Sequence, residues 1–372
     1  MTNLDGLPDI AEQQEKTGKQ ILHYFNKDFI IKHTLWFALI TIATIAGIFF
    51  YNHTGDTVVA LGHIKVKFIL ICSVMLFADL MMGSWRNHIY VQKLKPGLSH
   101  WVSFKANVAN MFMGAVTPAH GGAGPAQIYV YMRHGLTFLD SFAISLINFG
   151  ATLIFMPLAG FTAILFMNQE YVGGIVPSLL RYAFTFFAIF LSVFLLAFWK
   201  PVWIGVIIKK IAGSLSKIFP GRKRRLTVWA DISDKNIARY QNICSIIIKK
   251  NPILFPLSII ITIVMYLNKY CMQYVILLGL GVQAELLQVI SIQVLIQFMI
   301  YFIPTPGGSG FAEISISVLF GKIVPAAVLS LFTLLQRSFL LFFPAMIGAY
   351  FVLRLLHKQA SEKKIAGREQ SS

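Results

Sequence analysis

Two Gly-rich stretches contain the residues of this chain that are best suited to bind a ligand. The first reads Thr-Pro-Ala-His-Gly-Gly-Ala-Gly-Pro-Ala-Gln over 117–127, and the second reads Thr-Pro-Gly-Gly-Ser-Gly-Phe-Ala-Glu over 305–313. If two extra residues are allowed in the first, both follow Thr-Pro, then Gly-Gly-x-Gly-x-Ala and a Gln or Glu. Self-similarity of this kind within one chain indicates two copies of a structural repeat.

The residue types in these stretches predict a broken helix with an anion site at its tip. Proline ends the incoming helix, and glycine lets the chain reverse at little steric cost. The returning helix then begins with free N–H groups and the positive end of its dipole, which favour an anion such as a phosphate. The alternative is that the glycines only permit close helix packing. The predicted backbone site consists of Gly121, Gly122, Gly124, Gly307, Gly308, Ser309 and Gly310.

Ionisable side chains in apolar segments are costly and are therefore candidates for function. Arg337 lies fourteen residues into the apolar segment 323–356, about 21 Å along a helix, so we expect it to need Glu313, Asp79 or a bound phosphate as its partner. Glu313 is either that partner or a cap on the helix that follows the second motif. His120 is either a ligand donor and proton relay or an ordinary turn residue.

Amide side chains complete the predicted substrate-binding set. Gln127 ends the first motif, and Asn110 and Gln297 lie in the apolar segments that precede the two motifs. Neither a metal-ligand spacing nor a nucleophile motif accompanies them, so we predict no catalytic residue, metal or cofactor. Lys269 lies deep in another apolar segment and is a weaker candidate for the same site.

The composition decides which class of protein must position these groups. Of the 372 residues, 56% are hydrophobic and 13% are charged, whereas soluble domains carry about 25% charged residues. This balance excludes a soluble enzyme, a disordered chain and a fibrous chain. It predicts an all-α polytopic membrane protein, whose net charge of +17 must lie at particular places.

About six full spans are predicted from apolar segments long enough to cross the roughly 30 Å of hydrocarbon. They are 29–51, 64–83, 137–167, 179–199, 252–280 and 323–356. Lys and Arg collect on the cytoplasmic side of membrane proteins. The segments rich in them are the tail 1–28, the segment 84–105 with Arg86, the loop 200–251 and the tail 357–372.

These charges place the two motifs on re-entrant hairpins. If every basic segment is cytoplasmic, 99–136 must enter from the cytoplasm and return there, while 286–322 must enter from outside and return outside. We therefore predict two re-entrant helical hairpins of opposite orientation, related as an inverted repeat. The alternative is two ordinary spans apiece with short surface turns. The whole of 29–356 is predicted to be a single transmembrane domain with both termini cytoplasmic.

The basic loop 200–251 is predicted to lie at the membrane surface. Within it, 202–219 has apolar residues on one helical face and lysines opposite, which suits a helix among anionic lipid headgroups. Plain topology-setting charge is the alternative. No motif supports nucleic-acid binding.

The residues Pro304 to Glu313, followed by Arg337 in an apolar helix, resemble a motif of the lysylphosphatidylglycerol synthase transmembrane region family, also called flippase-like integral membrane proteins. The first motif, with Tyr129, Arg133 and Gly135 after it, resembles the family's first-half motif in a G-G-x-G-P-A-Q variant. It departs from the commoner form, which has a Gly-Glu pair where this chain has 125–127. The resemblance extends over roughly residues 30–355.

The resemblance implies a lipid flippase or transporter in a bacterial or archaeal inner membrane. The family's multidomain members are thought to translocate an aminoacylated phospholipid that a fused synthase domain makes. This chain ends at Ser372, so we expect the translocation half alone, with a phospholipid or lipid-linked headgroup as substrate and a separate lipid-synthesising enzyme as partner. The alternatives are an intramembrane lipid-modifying enzyme, with His120 and Glu313 as its acid–base pair, and a non-transporting scaffold.

Overall fold

The computed structural model describes residues 65–166, 176–199, 238–301 except 248, and 303–369, with scattered helical residues between 31 and 47. The predicted tail 1–28, nearly all of the predicted span 29–51, the interfacial helix 202–219 and most of the loop 200–251 lie outside the described residues.

The described chain is helical throughout. Its named helices are α1 (Val66–Leu94), α2 (His100–Val116), α3 (Ala123–Arg133), α4 (Phe138–Phe166), α5 (Val176–Trp199), α6 (Leu254–Gly279), α7 (Leu286–Ile300), α8 (Phe311–Phe320), α9 (Ala326–Arg337) and α10 (Phe343–Glu369). A π-helical turn, Ser338–Phe342, joins α9 to α10, and residues 238–247 are also helical.

Five of the described helical runs are long and apolar enough to cross a membrane. They are α1, α4, α5 up to Phe198, α6, and the continuous run Ala326–His357. Leu70, Val74 and Phe77 on α1 are each more than 60% exposed and recur at helical spacing on one face, a surface that lipid tolerates. With the shorter apolar helices α7 and α8, these runs make the protein an all-helical multi-pass membrane protein.

Helix α1 is longer than the predicted span 64–83. It continues to Leu94 because no proline occurs before Lys95-Pro96-Gly97, where Gly97 has φ +86°. The next helix, α2, begins after Ser99, whose hydroxyl accepts a hydrogen bond from the N–H of Trp101 and so caps the helix.

Two pairs of short helices coincide with the predicted hairpins 99–136 and 286–322. In the first hairpin, α2 and α3 have 17 and 11 residues, about 26 and 17 Å at a rise of 1.5 Å per residue. In the second, α7 and α8 have 15 and 10 residues, about 22 and 15 Å. Each pair is separated by one of the two Gly-rich stretches, which we call the first and the second break.

The long helices surround these hairpins. Helix α1 packs antiparallel on α6, with Tyr90 Oη donating to the carbonyl of Leu254 at one end and Lys65 N–H contacting Gly279 O at the other. Helices α4 and α6 pack on α7, and α10 packs along α2. The last contact is close, since a Cβ at Gly348 would lie 2.1 Å from the Val108 carbonyl oxygen.

Candidate functional site

The two breaks contact each other. Pro118 of the first break and Pro306 of the second form an isolated antiparallel bridge. Thr117 lies six residues before the first residue of α3, and Thr305 lies six residues before the first residue of α8. The two turns are therefore equally long, and the extra residues of the first motif fall within α3 instead of the turn.

The backbone angles give the same ungapped match. Ala119 and His120 have φ of +50° and +56°, and the residues at the corresponding positions, Gly307 and Gly308, have φ of +58° and +67°. Only glycine adopts this left-handed conformation at little cost. The two turns thus agree at these two positions, where the first break has side chains that oppose the conformation, and they differ at the residue before the helix, where φ is −79° for Gly122 and +85° for Gly310.

The second break is closed by a buried ion pair. Nε of Arg337 lies 2.8 Å from Oε1 of Glu313, and the two side chains are 7% and 0% exposed. Nη2 of Arg337 also donates to the carbonyl of Gly307 at 3.0 Å and contacts Ser309 Oγ at 3.4 Å. Oε2 of Glu313 accepts the N–H of Gly310 at 2.7 Å, so Glu313 is both the partner of Arg337 and the cap of α8.

Most of the N–H groups assigned to an anion on sequence grounds already donate within the turns. This is so for Gly121, Gly122, Gly308, Ser309 and Gly310. Their acceptors are, in that order, Pro118 O, Thr117 Oγ1, Thr305 O, Pro306 O and Glu313 Oε2. An anion that used these groups would have to displace an internal hydrogen bond at each one.

The first break is more exposed than the second. Pro118, Ala119 and Gly121 are exposed, whereas Gly307 and Gly308 are buried. His120 is half-buried, with Nδ1 3.0 Å from the carbonyl of Gly114 and its ring 6.0 Å from that of Tyr301, the residue that follows α7. His120 and Glu313 therefore engage different partners.

A chain of amides lies behind the first break. Asn110 Nδ2 donates to Gln127 Oε1 at 3.0 Å, which joins two of the predicted site residues. Gln127 Nε2 in turn donates to Asn87 Oδ1 at 2.8 Å, and Asn148 Nδ2 donates to the same oxygen at 2.7 Å. Ser258 Oγ donates to Asn148 Oδ1 at 3.4 Å and extends the chain to α6.

Sequence reasoning missed Asn87 and Asn148. Both are buried amides, and Asn148 lies well inside the apolar segment 137–167, so its polarity in that setting was a usable signal. The predicted residue Gln297 is half-buried on α7. One turn earlier, Gln293 accepts a hydrogen bond from Gln336, the neighbour of Arg337.

Arg86, which the sequence placed in the basic segment 84–105, contacts the neighbouring helices of the bundle. It lies eight residues before the end of α1, and its Nη1 donates to Thr262 Oγ1 on α6 at 3.0 Å and to Thr152 Oγ1 on α4 at 3.4 Å. Its side chain is half-buried and contacts α4 and α6. Lys269, the weaker candidate, lies 3.5 Å from Asp79.

Comparison with known proteins agrees with this architecture. Residues 35–348 match the family described as the lysylphosphatidylglycerol synthase TM region. A UPF0104 membrane protein of Archaeoglobus fulgidus is 22% identical over 311 residues, which cover 80% of this chain and 90% of that protein. No solved structure gives a significant match. Because the family match extends over most of its length, the chain belongs to the lysylphosphatidylglycerol synthase transmembrane region family.

Proposed function

We propose that the protein is a lipid flippase or transporter that moves a phospholipid, or a lipid-linked anionic headgroup, through a path between its two hairpins. The observation that carries this proposal is the contact of the two breaks at Pro118 and Pro306. Irregular backbone at membrane depth is tolerated where protein or a wet cavity surrounds it. Two such breaks at one place, from the two halves of the chain, are typical of secondary transporters.

Re-entrant hairpins related by inversion are part of the proposal. The four hairpin helices are each shorter than the roughly 30 Å of hydrocarbon that a full span must cross. At the base of the first hairpin, Lys95 Nζ donates to the carbonyls of His134 and Gly135 at 3.0 and 2.9 Å. This contact holds the two ends of the first hairpin together and supports a return to one membrane face, the cytoplasmic face in this proposal.

The headgroup would contact the first break, which is exposed, while the second break, which is buried, would keep its conformation. The side that changes conformation would consist of Gly121, Gly124, His120 and the amides of Asn110 and Gln127. On the fixed side are Gly307, Gly308, Ser309, Gly310, Gln297, Glu313 and Arg337. Displacement of the turn hydrogen bonds by a phosphate would couple headgroup entry to a change in the shape of the first break.

The membrane, the side of the termini and the partners in this proposal are those predicted from the sequence. We propose a bacterial or archaeal inner membrane with both termini cytoplasmic, anionic lipid at the basic loop 200–251, and a separate lipid-synthesising enzyme as the source of substrate. The acyl chains would stay in the bilayer while the headgroup crosses between the hairpins.

The test is lipid redistribution in vesicles that contain the purified full-length protein. Phosphatidylglycerol with a fluorescent label is placed in both leaflets, and a membrane-impermeant reductant quenches the outer label. We expect quenching to proceed beyond the outer half when the protein is present. Folded protein that leaves the inner label protected would contradict the proposal.

A crosslink between the breaks sharpens this test. Residues paired in an antiparallel bridge have Cα atoms about 4.5–5.5 Å apart, within the range of about 4.4–6.8 Å that a disulfide needs. We expect the double variant Pro118→Cys/Pro306→Cys to stop transport when oxidised and to recover when reduced. The single variants, which share Cys72, Cys244 and Cys271 with it, are the matched controls.

A further inference from the structure

The interface between α1 and α6 contains two cations, Lys269 and Arg86, whose partners differ in charge. Asp79 and Arg86 lie seven residues apart on α1, and their partners Lys269 and Thr262 lie seven residues apart on α6. The two contacts are therefore two helical turns apart, about 10 Å along the helices. At one contact the cation Lys269 has the carboxylate of Asp79, whereas at the other Arg86 has only threonine hydroxyls.

Arg86 has no carboxylate partner within the described part of the chain. Its hydrogen-bond acceptors there are Thr262 Oγ1 and Thr152 Oγ1, both on Nη1. Its Nε is buried without an acceptor among the described residues, and its side chain is half-buried. Asp79, two turns away on the same helix, is already 3.5 Å from Lys269.

A count of the interior charges leads to the same residue. Arg337 is matched by Glu313 and Lys269 by Asp79, so both of those pairs are neutral. Of these three cations, Arg86 is the one that has no carboxylate against it among the described residues. A cation within a membrane-spanning bundle is expensive unless an anion pairs with it, so Arg86 is the cation of the three that an anionic ligand would stabilise.

We propose that Arg86 binds the phosphoryl group of an anionic ligand between α1, α4 and α6. A guanidinium fork fits a phosphate by two parallel hydrogen bonds, and the threonines hold Nη1 so that the remaining N–H groups keep a fixed direction. Ser258 connects Arg86 and its threonines to the amides behind the first break. Thr262 Oγ1 donates to the carbonyl of Ser258, and the hydroxyl of Ser258 donates to Asn148 Oδ1. This inference rests on the proposed function and names the cation that selects its substrate.

The shared ligand chemistry is a phosphate ester or free phosphate, and binding separates the two sources. Full-length protein stripped of lipid is titrated with phosphatidylglycerol, with inorganic phosphate and with diacylglycerol, and bound ligand is measured by native mass spectrometry. We expect wild type to prefer phosphatidylglycerol to diacylglycerol. Binding of inorganic phosphate as well would identify the phosphoryl group alone as the ligand, and its failure would identify the lipid headgroup. Equal binding of phosphatidylglycerol and diacylglycerol would overturn the inference.

Variants of Arg86 test whether this residue causes the preference for phosphatidylglycerol. We expect Arg86→Gln to weaken phosphatidylglycerol binding about tenfold or more, because hydrogen bonds to charged groups are among the stronger ones. Arg86→Lys should lose less, since it keeps the charge without the fork. Arg354→Gln, which removes the same charge from the exposed face of α10, should bind as wild type does. Unchanged binding by Arg86→Gln would overturn the inference.

Thr262→Asp keeps the test decisive if Arg86→Gln does not fold. The new carboxylate would neutralise Arg86 from within the chain, so we expect phosphatidylglycerol binding to fall while the melting temperature is kept or raised. Binding that persists in Thr262→Asp would contradict a role for the free charge. Wild type that binds through Arg86 but moves no lipid would refute the proposed function alone, whereas transport and binding unaffected by Arg86→Gln would refute this inference alone.

Discussion

The first and second breaks share a motif and two left-handed positions, yet their polar groups are satisfied by different chemistry. In the second break, Glu313 and Arg337 form a buried ion pair, and glycines occupy the left-handed positions. At the first break, the amides of Asn110 and Gln127 form a hydrogen bond where the second break has its ion pair, and Ala119 and His120 occupy the left-handed positions. The comparison shows a buried second break that is held by an ion pair and a more exposed first break that is held by amides.

The largest effect should come from splitting the ion pair of the second break. Arg337→Ala leaves the carboxylate of Glu313 buried without its partner, and unpaired buried charges destabilise by about 3–5 kcal/mol. We expect a loss of this size in the free energy of unfolding, measured by denaturant titration in detergent micelles.

The paired control separates charge from packing. Arg337→Met/Glu313→Leu removes both charges and keeps similar volume, a change that is often neutral or stabilising. We expect it to recover much of the stability that Arg337→Ala loses. If the double variant is less stable than Arg337→Ala, the pair does not act as a unit, and the contrast between the breaks loses its main support.

A smaller effect should follow in the first break from Asn87→Ala. This change leaves the amide N–H groups of Gln127 and Asn148 without their common acceptor. Buried donors left unsatisfied cost about 1–3 kcal/mol, so the loss should be below that of Arg337→Ala in the same titration. Asn268→Ala, which removes a single bond to the Met75 carbonyl, is the matched control. An equal loss from both asparagines would argue against a network.

The smallest effects on stability should come from substitutions at the left-handed positions of the two turns. A left-handed residue with a Cβ costs about 1–2 kcal/mol, partly offset by the greater flexibility of glycine in the unfolded chain. We expect Ala119→Gly to stabilise by under about 1 kcal/mol and Gly308→Ala to destabilise by about the same amount. A Cβ at Gly308 meets nothing nearer than Ile300 Cβ at 3.6 Å, so the second change tests the backbone alone. Melting temperatures that shift in the same direction would refute the match of the two turns.

Several features of the fold followed from the sequence because each rests on local chemistry. Apolar length predicted α4, α5 and α6, and proline with glycine predicted where the hairpin helices end. The ion-pair partner of Arg337 was among the three groups considered, since a buried cation needs an anion and few were available.

Other features could not be read locally. The gapped alignment of the motifs misplaced the match because helix α3 begins before Gly124-Pro125, and sequence identity does not reveal where a turn becomes a helix. The interior position of Arg86 was hidden by its neighbours, since 84–105 contains three lysines that indicate a surface. Only the packing of α1 on α6 and α4 shows that Arg86 faces threonines.

The π turn at Ser338–Phe342 has a consequence for how the two hairpins are coupled. Before this turn, α9 packs on α8 of the second hairpin, and after it α10 packs on α2 of the first. A π turn contains one more residue than an α turn, so it sets the rotational phase between the two ends of a single span. Insertion or deletion of one residue within 338–342 would turn Arg337 by about 100° relative to Gly348, and would change the phase between the hairpins while the sequences of both stayed the same.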